Sequence, residues 1–219
     1  MTGAAAVAPA RPRAAPVPSA GLGPDRLHRL ILAVADAMTA HEAELTALDQ
    51  AIGDGDHGLN MCRGVLAVRT EAASLTRLPL PEALEGIGTQ LVLHVGGASG
   101  PLYGTLLIAL GRAAAPDGSN LAQALAAAVA AVMARGRSQP GQKTMLDVLA
   151  PVQQAVAAGG PALARRLPAI ARAAALATAP MRAARGRASF LGQRSVGHVD
   201  PGAWSSALIV SAACAAWEG

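Results

Sequence analysis

No stretch of the 219-residue chain alternates apolar and polar side chains over the length of a strand, whereas apolar residues three and four apart recur from residue 24 onward. That missing two-residue period is the strongest restriction on the fold. Composition points the same way: 52% of residues are hydrophobic, yet only Tyr103, Phe190, Trp204 and Trp217 are aromatic. A chain rich in Ala and Leu and poor in β-branched and aromatic residues prefers helix to strand. Its core must be built from small side chains, which favour close helix–helix approach.

Gly and Pro punctuate the helical pattern into eight segments. Pro24 suits a first turn, and Leu27, Leu30, Ile31, Val34 and Met38 carry a first helix to about Thr46. A second runs from near Gly58 to Leu78-Pro79, a third from Pro81 to Gly96-Gly97, and a fourth from Pro101 to about Pro116. Ser119-Asn120 can cap a fifth, ending at Ala134. Thr144 and Asp147 form a capping box for a sixth, which ends at Gly159-Gly160. A seventh occupies Pro161 to Arg185, where Pro168 and Pro180 either kink it or mark a later start. Asp200-Pro201 opens the eighth, which ends near Trp217. The expected fold is all-α, a compact antiparallel eight-helix bundle over residues 24–219, preceded by a flexible Pro/Ala-rich tail over 1–23.

Several functional classes are excluded on the same grounds. The formal charge of +4 is carried by 17 scattered arginines and a single lysine, Lys143, against 14 acids and without a basic run or spaced aromatics, so no nucleic acid is expected. The uncharged stretch 86–111 is broken by "GGASGP" into halves too short to span a bilayer, so no membrane is expected either. The N-terminus lacks the apolar run of a signal peptide. Cys62 and Cys214 lie far apart and form no C-x-x-C pair, which suits buried thiols in a reducing, cytoplasmic compartment.

The polar, glycine-rich interruptions are the natural places for chemistry. "LDQAIGDGDHGLN" (48–60) combines the glycines of a phosphate-cradling loop with Asp49, Asp54 and Asp56. It follows a helix, so the dinucleotide fingerprint fails its context. No G-K-[ST] follows, so a Walker A loop fails too, and Gly58 and Val65 stand where a calcium loop needs acids. Carboxylate and phosphate charges about 4 Å apart repel by roughly 4 kcal/mol at an effective dielectric near 20. A helix N-terminus returns about 0.3–1 kcal/mol, up to ~2 when partly buried. If phosphate binds here, a bridging divalent cation must reverse the sign, and Mg²⁺ is the usual choice. Read singly, the residues also carry plainer explanations: Asp-Gly turns, a hydrogen-bonding His57, Ser99 and Thr144 as caps, Arg187 in a surface ion pair and Lys143 in solvent.

Four segments taken together, "LDQAIGDGDHGLNMCRG", "VGGASGPLYGT", "PGQKTMLDVLAPV" and "ARGRASFLGQRSVGHVDPGAWSS", resemble in order and spacing the nucleotide-binding L subunit of bacterial dihydroxyacetone kinase. The resemblance implies an eight-helix antiparallel barrel with a Mg-nucleotide site at one rim. It implies two Mg²⁺ ions on Asp49, Asp54 and Asp56, and ADP or ATP against His57, Gly58, Leu59, Asn60, Ala98, Ser99, Gly136, Met145, Arg187, Asp200, Pro201 and Gly202. Gln142 stands where the family usually has Asp, Trp204 where a small Thr is common, and Gly55 where Ala is frequent. The implied activity is phosphoryl relay through tightly bound nucleotide to dihydroxyacetone held covalently on a separate K subunit. In the family's phosphotransferase-linked branch the donor is a phosphohistidine subunit fed by phosphoenolpyruvate. Alternatives within the resemblance are an ATP-dependent subunit for another small ketose or tetrulose, and a nucleotide-loaded co-regulator of a transcription factor. A homodimer is expected.

Overall fold

The computed structural model describes residues 22–218, so the tail expected over 1–23 lies, up to residue 21, outside the described residues. Among those described there are ten α-helices, one 3₁₀ segment and no strand. The helices are α1 (Pro24–Ala40), α2 (Glu42–Ile52), α3 (His57–Thr70), α4 (Ala72–Leu75), α5 (Leu80–His94), α6 (Ser99–Ala113), α7 (Leu121–Gly136), α8 (Leu146–Ala158), α9 (Leu163–Leu176) and α10 (Pro201–Glu218). Only His41 separates α1 from α2, and only Glu71 separates α3 from α4, so the ten helices make eight successive rods.

The rods pack in chain order, α1 on α3, α3 on α5, and so on through α9 and α10, and α10 returns to α1. The packing order therefore closes on itself. Small residues allow the close approach that the composition predicts: a Cβ on Gly88 of α5 would lie 2.7 Å from the Gly104 carbonyl of α6, and the reverse holds equally. Inside, one continuous core joins Leu27 and Met38 of α1, Met61 of α3, Leu146 and Val148 of α8 and Ala203 of α10.

Three expected boundaries need correction. The first helix does not run unbroken to Thr46. The break comes at His41, whose ψ of 15° leaves the helical range and whose Nδ1 bonds the Ala37 carbonyl at 2.8 Å. The chain then re-enters helix as α2, with Glu42 and Glu44 in its first turn favouring the helix dipole, and continues to Ile52. Asp49 thus sits in a rigid last turn and not in a loop. The seventh helix tolerates Pro168 but stops at Leu176, well before Arg185. The residue before Pro180 is disfavoured in helix, and the carbonyls of Thr178, Ala179 and Met181 are instead turned toward Lys143. The polar stretch after it is not bare loop, because Arg187–Ser195 forms the 3₁₀ segment.

Candidate functional site

Four helices, α3, α6, α8 and α10, begin around one cavity, with their first residues or the residues just before them on its wall. Their unpaired N–H groups and positive dipole ends make such a place receptive to anions. Against this stands an acidic corner between α2 and α3. One oxygen from each of Asp49, Asp54 and Asp56 lies within 4.8 Å of the others. Asp49 is buried, and its Oδ2 accepts the N–H groups of Asp56 at 2.9 Å and His57 at 3.1 Å, which fastens the start of α3 to the end of α2. Gly53 makes room for that carboxylate, since a Cβ there would lie 2.0 Å from Asp49 Oδ1. Asp54 faces a cation already: Arg187 Nη1 stands 2.6 Å from its Oδ2.

A hard cation bound at about 2.0–2.1 Å by oxygens holds its ligand atoms roughly 3–4 Å apart. The three carboxylates are all-oxygen donors at nearly that separation, so the donor set fits Mg²⁺ after a small contraction.

His57 is buried at the head of α3, and burial pushes its pKa below the ordinary value while Asp49 and Asp56 pull it back. Its Nδ1 lies 3.1 Å from Ser99 Oγ at the head of α6, and its Nε2 lies 2.9 Å from Ser205 Oγ in α10. Ser205 and Ser206 both meet the buried Tyr103 hydroxyl at 2.8 Å, and that hydroxyl donates to the Gly202 carbonyl at 3.0 Å. This chain of hydrogen bonds ties α3, α6 and α10 at the site. Burial keeps the Tyr103 phenol protonated, with a pKa pushed up to about 12.

The third side is set by the segment before α8. Asp147 accepts the Thr144 N–H at 2.7 Å, so half of the expected capping box forms; Thr144 Oγ1 accepts from Leu146, not Asp147. Lys143, for which solvent was the plainer explanation, is only 1% exposed. Its ammonium donates among five carbonyls, those of Thr178 (3.0 Å), Ala179 (3.4 Å), Met181 (3.1 Å), Ser195 (2.8 Å) and His198 (2.5 Å). Burial draws its pKa down and Asp200 raises it again. A compact ammonium fits such a cage where a planar guanidinium would not, which gives a reason for the chain's lone lysine among arginines.

Asp200 caps α10 as expected, accepting the Ala203 N–H at 2.7 Å. Its carboxyl is pushed up to about 7, chiefly by burial; the Ala203 N–H and Lys143 oppose this, and Asp147 and Asp49 add to it.

The structure brings most of the nominated residues to one wall: Asp49, Asp54, Asp56, His57, Ala98, Ser99, Met145, Arg187, Asp200, Pro201 and Gly202. Gly58, Leu59, Asn60 and Gly136 are not on it. Gly58 is pressed against the backbone of α2, Asn60 is buried against Gly96, Gly136 lies beside Ser138 and Leu102, and Leu59 is 51% exposed. Tyr103, Leu102, Lys143 and Arg185 line the cavity without having been singled out for it. Tyr103 lies inside "VGGASGPLYGT" and Lys143 inside "PGQKTMLDVLAPV", so both were open to that reading; the carbonyl cage around Lys143 was not, because its partners are 35 to 55 positions away.

The DAK2 domain model matches residues 51–215. A Listeria innocua protein named PEP-dependent dihydroxyacetone kinase 1, ADP-binding subunit DhaL, is 40% identical over 171 residues, spanning 77% of this chain and 84% of its own. The Escherichia coli K12 protein named PEP-dependent dihydroxyacetone kinase, ADP-binding subunit DhaL, is 39% identical over 180 residues, spanning 78% of this chain and 86% of its own. The crystal structure of the dihydroxyacetone kinase from C. freundii in complex with AMP-PNP and Mg²⁺ superposes with a TM-score of 0.72 at 23% identity. It covers all of this chain and 38% of that one, and at this identity the likeness bears on the fold.

Proposed function

The chain belongs to the DAK2 domain family, and from that premise we propose that it is the ADP/ATP-holding subunit of a dihydroxyacetone kinase. In this reading the nucleotide stays on this chain and is rephosphorylated in place by a phosphohistidine subunit fed by phosphoenolpyruvate. The phosphoryl group then passes to dihydroxyacetone held by a separate subunit. The names of the relatives, PEP-dependent kinases of which they are the ADP-binding subunit, support this division of labour.

One observation carries the proposal: three carboxylates converge at the start of α3, on the wall of a cavity entered by four helix N-termini. Asp49, Asp54 and Asp56 would hold Mg²⁺, which when bound supplies the positive charge that lets a polyphosphate sit beside acids. Two ions contribute +4 against three carboxylates and an ADP near −3, leaving roughly −2 for the helix ends and Arg187 to offset. Phosphoryl transfer asks little covalent chemistry of the protein; positioning and charge neutralisation carry it. The residues fit those two tasks. Asp49 sets the angle between α2 and α3, His57 and Tyr103 lock three helix heads together, and Arg187 supplies a guanidinium at the acidic corner. Leu102 and Met145 give the same wall an apolar part on which a base could rest. Two finer expectations, a homodimer and docking on a transcription regulator, are tested by sedimentation and co-purification.

The direct test is nucleotide retention. Protein purified in Mg²⁺, then denatured, should release about one ADP per chain, and Asp54→Ala should release little. With the ketose-holding subunit and a phosphohistidine donor, the wild type should turn over and Asp54→Ala should not. An empty, freely exchanging cavity would count against the coenzyme reading; turnover by Asp54→Ala would remove the metal site from it.

A further inference from the structure

Three large, exposed apolar side chains lie within three residues of the cavity wall in sequence, and none of them is on the wall itself. Phe190, the only phenylalanine, is 90% exposed in the 3₁₀ segment, two residues from the wall residue Ala188. Leu93 is 68% exposed at the end of α5, three residues from the wall residue Gly96. Leu59 is 51% exposed in the first turn of α3, two residues from His57. Three elements thus each carry an exposed large hydrophobe close in sequence to the wall of one cavity, where a chain on its own gains nothing from them.

Charge separates along with them. From residue 148 to 199 the chain contains no Asp or Glu, and Arg182, Arg185, Arg187 and Arg194 all fall on or beside the 3₁₀ segment. Among the described residues only Arg187 of these four makes an ion pair, with Asp54. The segment is also held firmly. Lys143 takes carbonyls from both of its flanks, 178–181 and 195–198, and Ile52, Ala183, Ala188 and Leu191 form a small apolar cluster beneath it. Phe190 therefore projects from a fastened platform.

We propose that Phe190, Leu93 and Leu59, rimmed by Arg182 and Arg194, form the docking surface for the protein that holds the acceptor, and that the matching face of that protein is acidic around an apolar socket. This rests on the reading above, in which the acceptor is carried by another subunit. Transfer requires the acceptor oxygen about 3–3.5 Å from phosphorus, so that subunit must close over the cavity and meet whatever borders it. Phenylalanine and arginine are both enriched at protein interfaces relative to the rest of the surface. The rim charges should act mainly on association rate and salt dependence.

The experiment compares wild type with Phe190→Ser, Leu93→Ser and Arg194→Glu, none of which lines the cavity. Each is titrated with Mg-ADP, then, nucleotide-loaded, with the dihydroxyacetone-holding subunit across a salt series, and each is sedimented alone. All three should keep Mg-ADP affinity within about twofold and their own sedimentation unchanged. Phe190→Ser and Leu93→Ser should lose tenfold or more in subunit affinity, and Arg194→Glu should both weaken binding and flatten its salt dependence. Undiminished subunit binding by the serine variants overturns the proposal. So does a parallel loss of Mg-ADP affinity, which would make Phe190 a cover for the chain's own nucleotide, or a change confined to self-association. Wild type that binds neither Mg-ADP nor the subunit would instead sink the functional reading beneath it.

Discussion

Arg187 stands 2.6 Å from Asp54, where a bound cation would need that carboxylate. Arginine and metal ion therefore compete, and in the absence of nucleotide Arg187→Ala should bind Mn²⁺ more tightly. Both partners of the pair are partly exposed, and such pairs contribute about 1 kcal/mol or less, so the gain is at most about fivefold. The same variant should bind Mg-ADP more weakly, because the guanidinium is then missing beside the phosphates. Mn²⁺ titration followed by electron paramagnetic resonance checks the first effect, and unchanged or weaker Mn²⁺ binding would end the competition argument. Asp200 makes a second prediction. Its carboxyl is raised in the folded chain to about 7 from an ordinary 3.8, so ionising it costs more folded than unfolded. Stability tied to this group is full at low pH and is lost as pH climbs from about 4 through 7. Asp200→Asn, which keeps a capping oxygen, should gain melting temperature at pH 8 in EDTA and less than half as much at pH 5; at about 1.4 kcal/mol per pH unit the ceiling is about 4 kcal/mol. A gain that is equal at both pH values would contradict it. At this scale the motifs located Asp49, Asp54, Asp56, His57, Ser99 and Asp200 on the wall, whereas Asn60 and Gly58 lie off it, against Gly96 and the backbone of α2. A motif records every residue the site needs, and spacing alone does not separate those that touch a ligand from those that hold up a turn.

Among the elements, the helices were legible wherever Pro or Gly punctuates an apolar period, as at Pro24, Gly96-Gly97 and Asp200-Pro201. The break at His41 was not, because the apolar spacing runs straight through it, and at that point a side chain bonds a carbonyl of its own helix. The 3₁₀ segment was illegible for a different reason. Its order depends on Lys143, which is remote in sequence and looks like any other surface cation until the five carbonyls are seen around it. Removing that ammonium leaves buried carbonyls without donors, each costing about 1–3 kcal/mol if no water replaces it. Lys143→Met should destabilise the protein by about 3 kcal/mol or more, and amide exchange should accelerate across 178–198 while α1 to α3 stay protected. Lys143→Arg should not rescue it, since the longer planar group does not fit the cage. Rescue by arginine, measured as melting temperature, would mean that charge alone matters there and the cage geometry does not.

The cavity wall draws on residues from Asp49 to Gly202, so nearly the whole chain must be folded before the site exists. The packing order adds to this, because α10 returns to α1 and also meets α2, whose last turn carries Asp49, while Gly202 of α10 lies on the same wall. A ligand bound there stabilises the entire closed structure and not one loop, and its effect should register in global unfolding. At a concentration one hundred times its Kd, a ligand specific for the folded state adds about 2.7 kcal/mol. For a domain of this size each kcal/mol raises Tm by about 2–4 °C, so saturating Mg-ADP should raise it by about 5–11 °C. The sign argument at the acidic corner makes the metal indispensable to that gain: carboxylate–phosphate repulsion of roughly 4 kcal/mol exceeds the ~2 kcal/mol a helix terminus can return. ADP in EDTA, Mg²⁺ without nucleotide, and Mg-ADP with Asp56→Asn should therefore each shift Tm far less than Mg-ADP with the wild type. A shift of equal size from ADP in EDTA would mean that helix ends and Arg187 hold the diphosphate unaided, and the three carboxylates would then need a purpose other than metal.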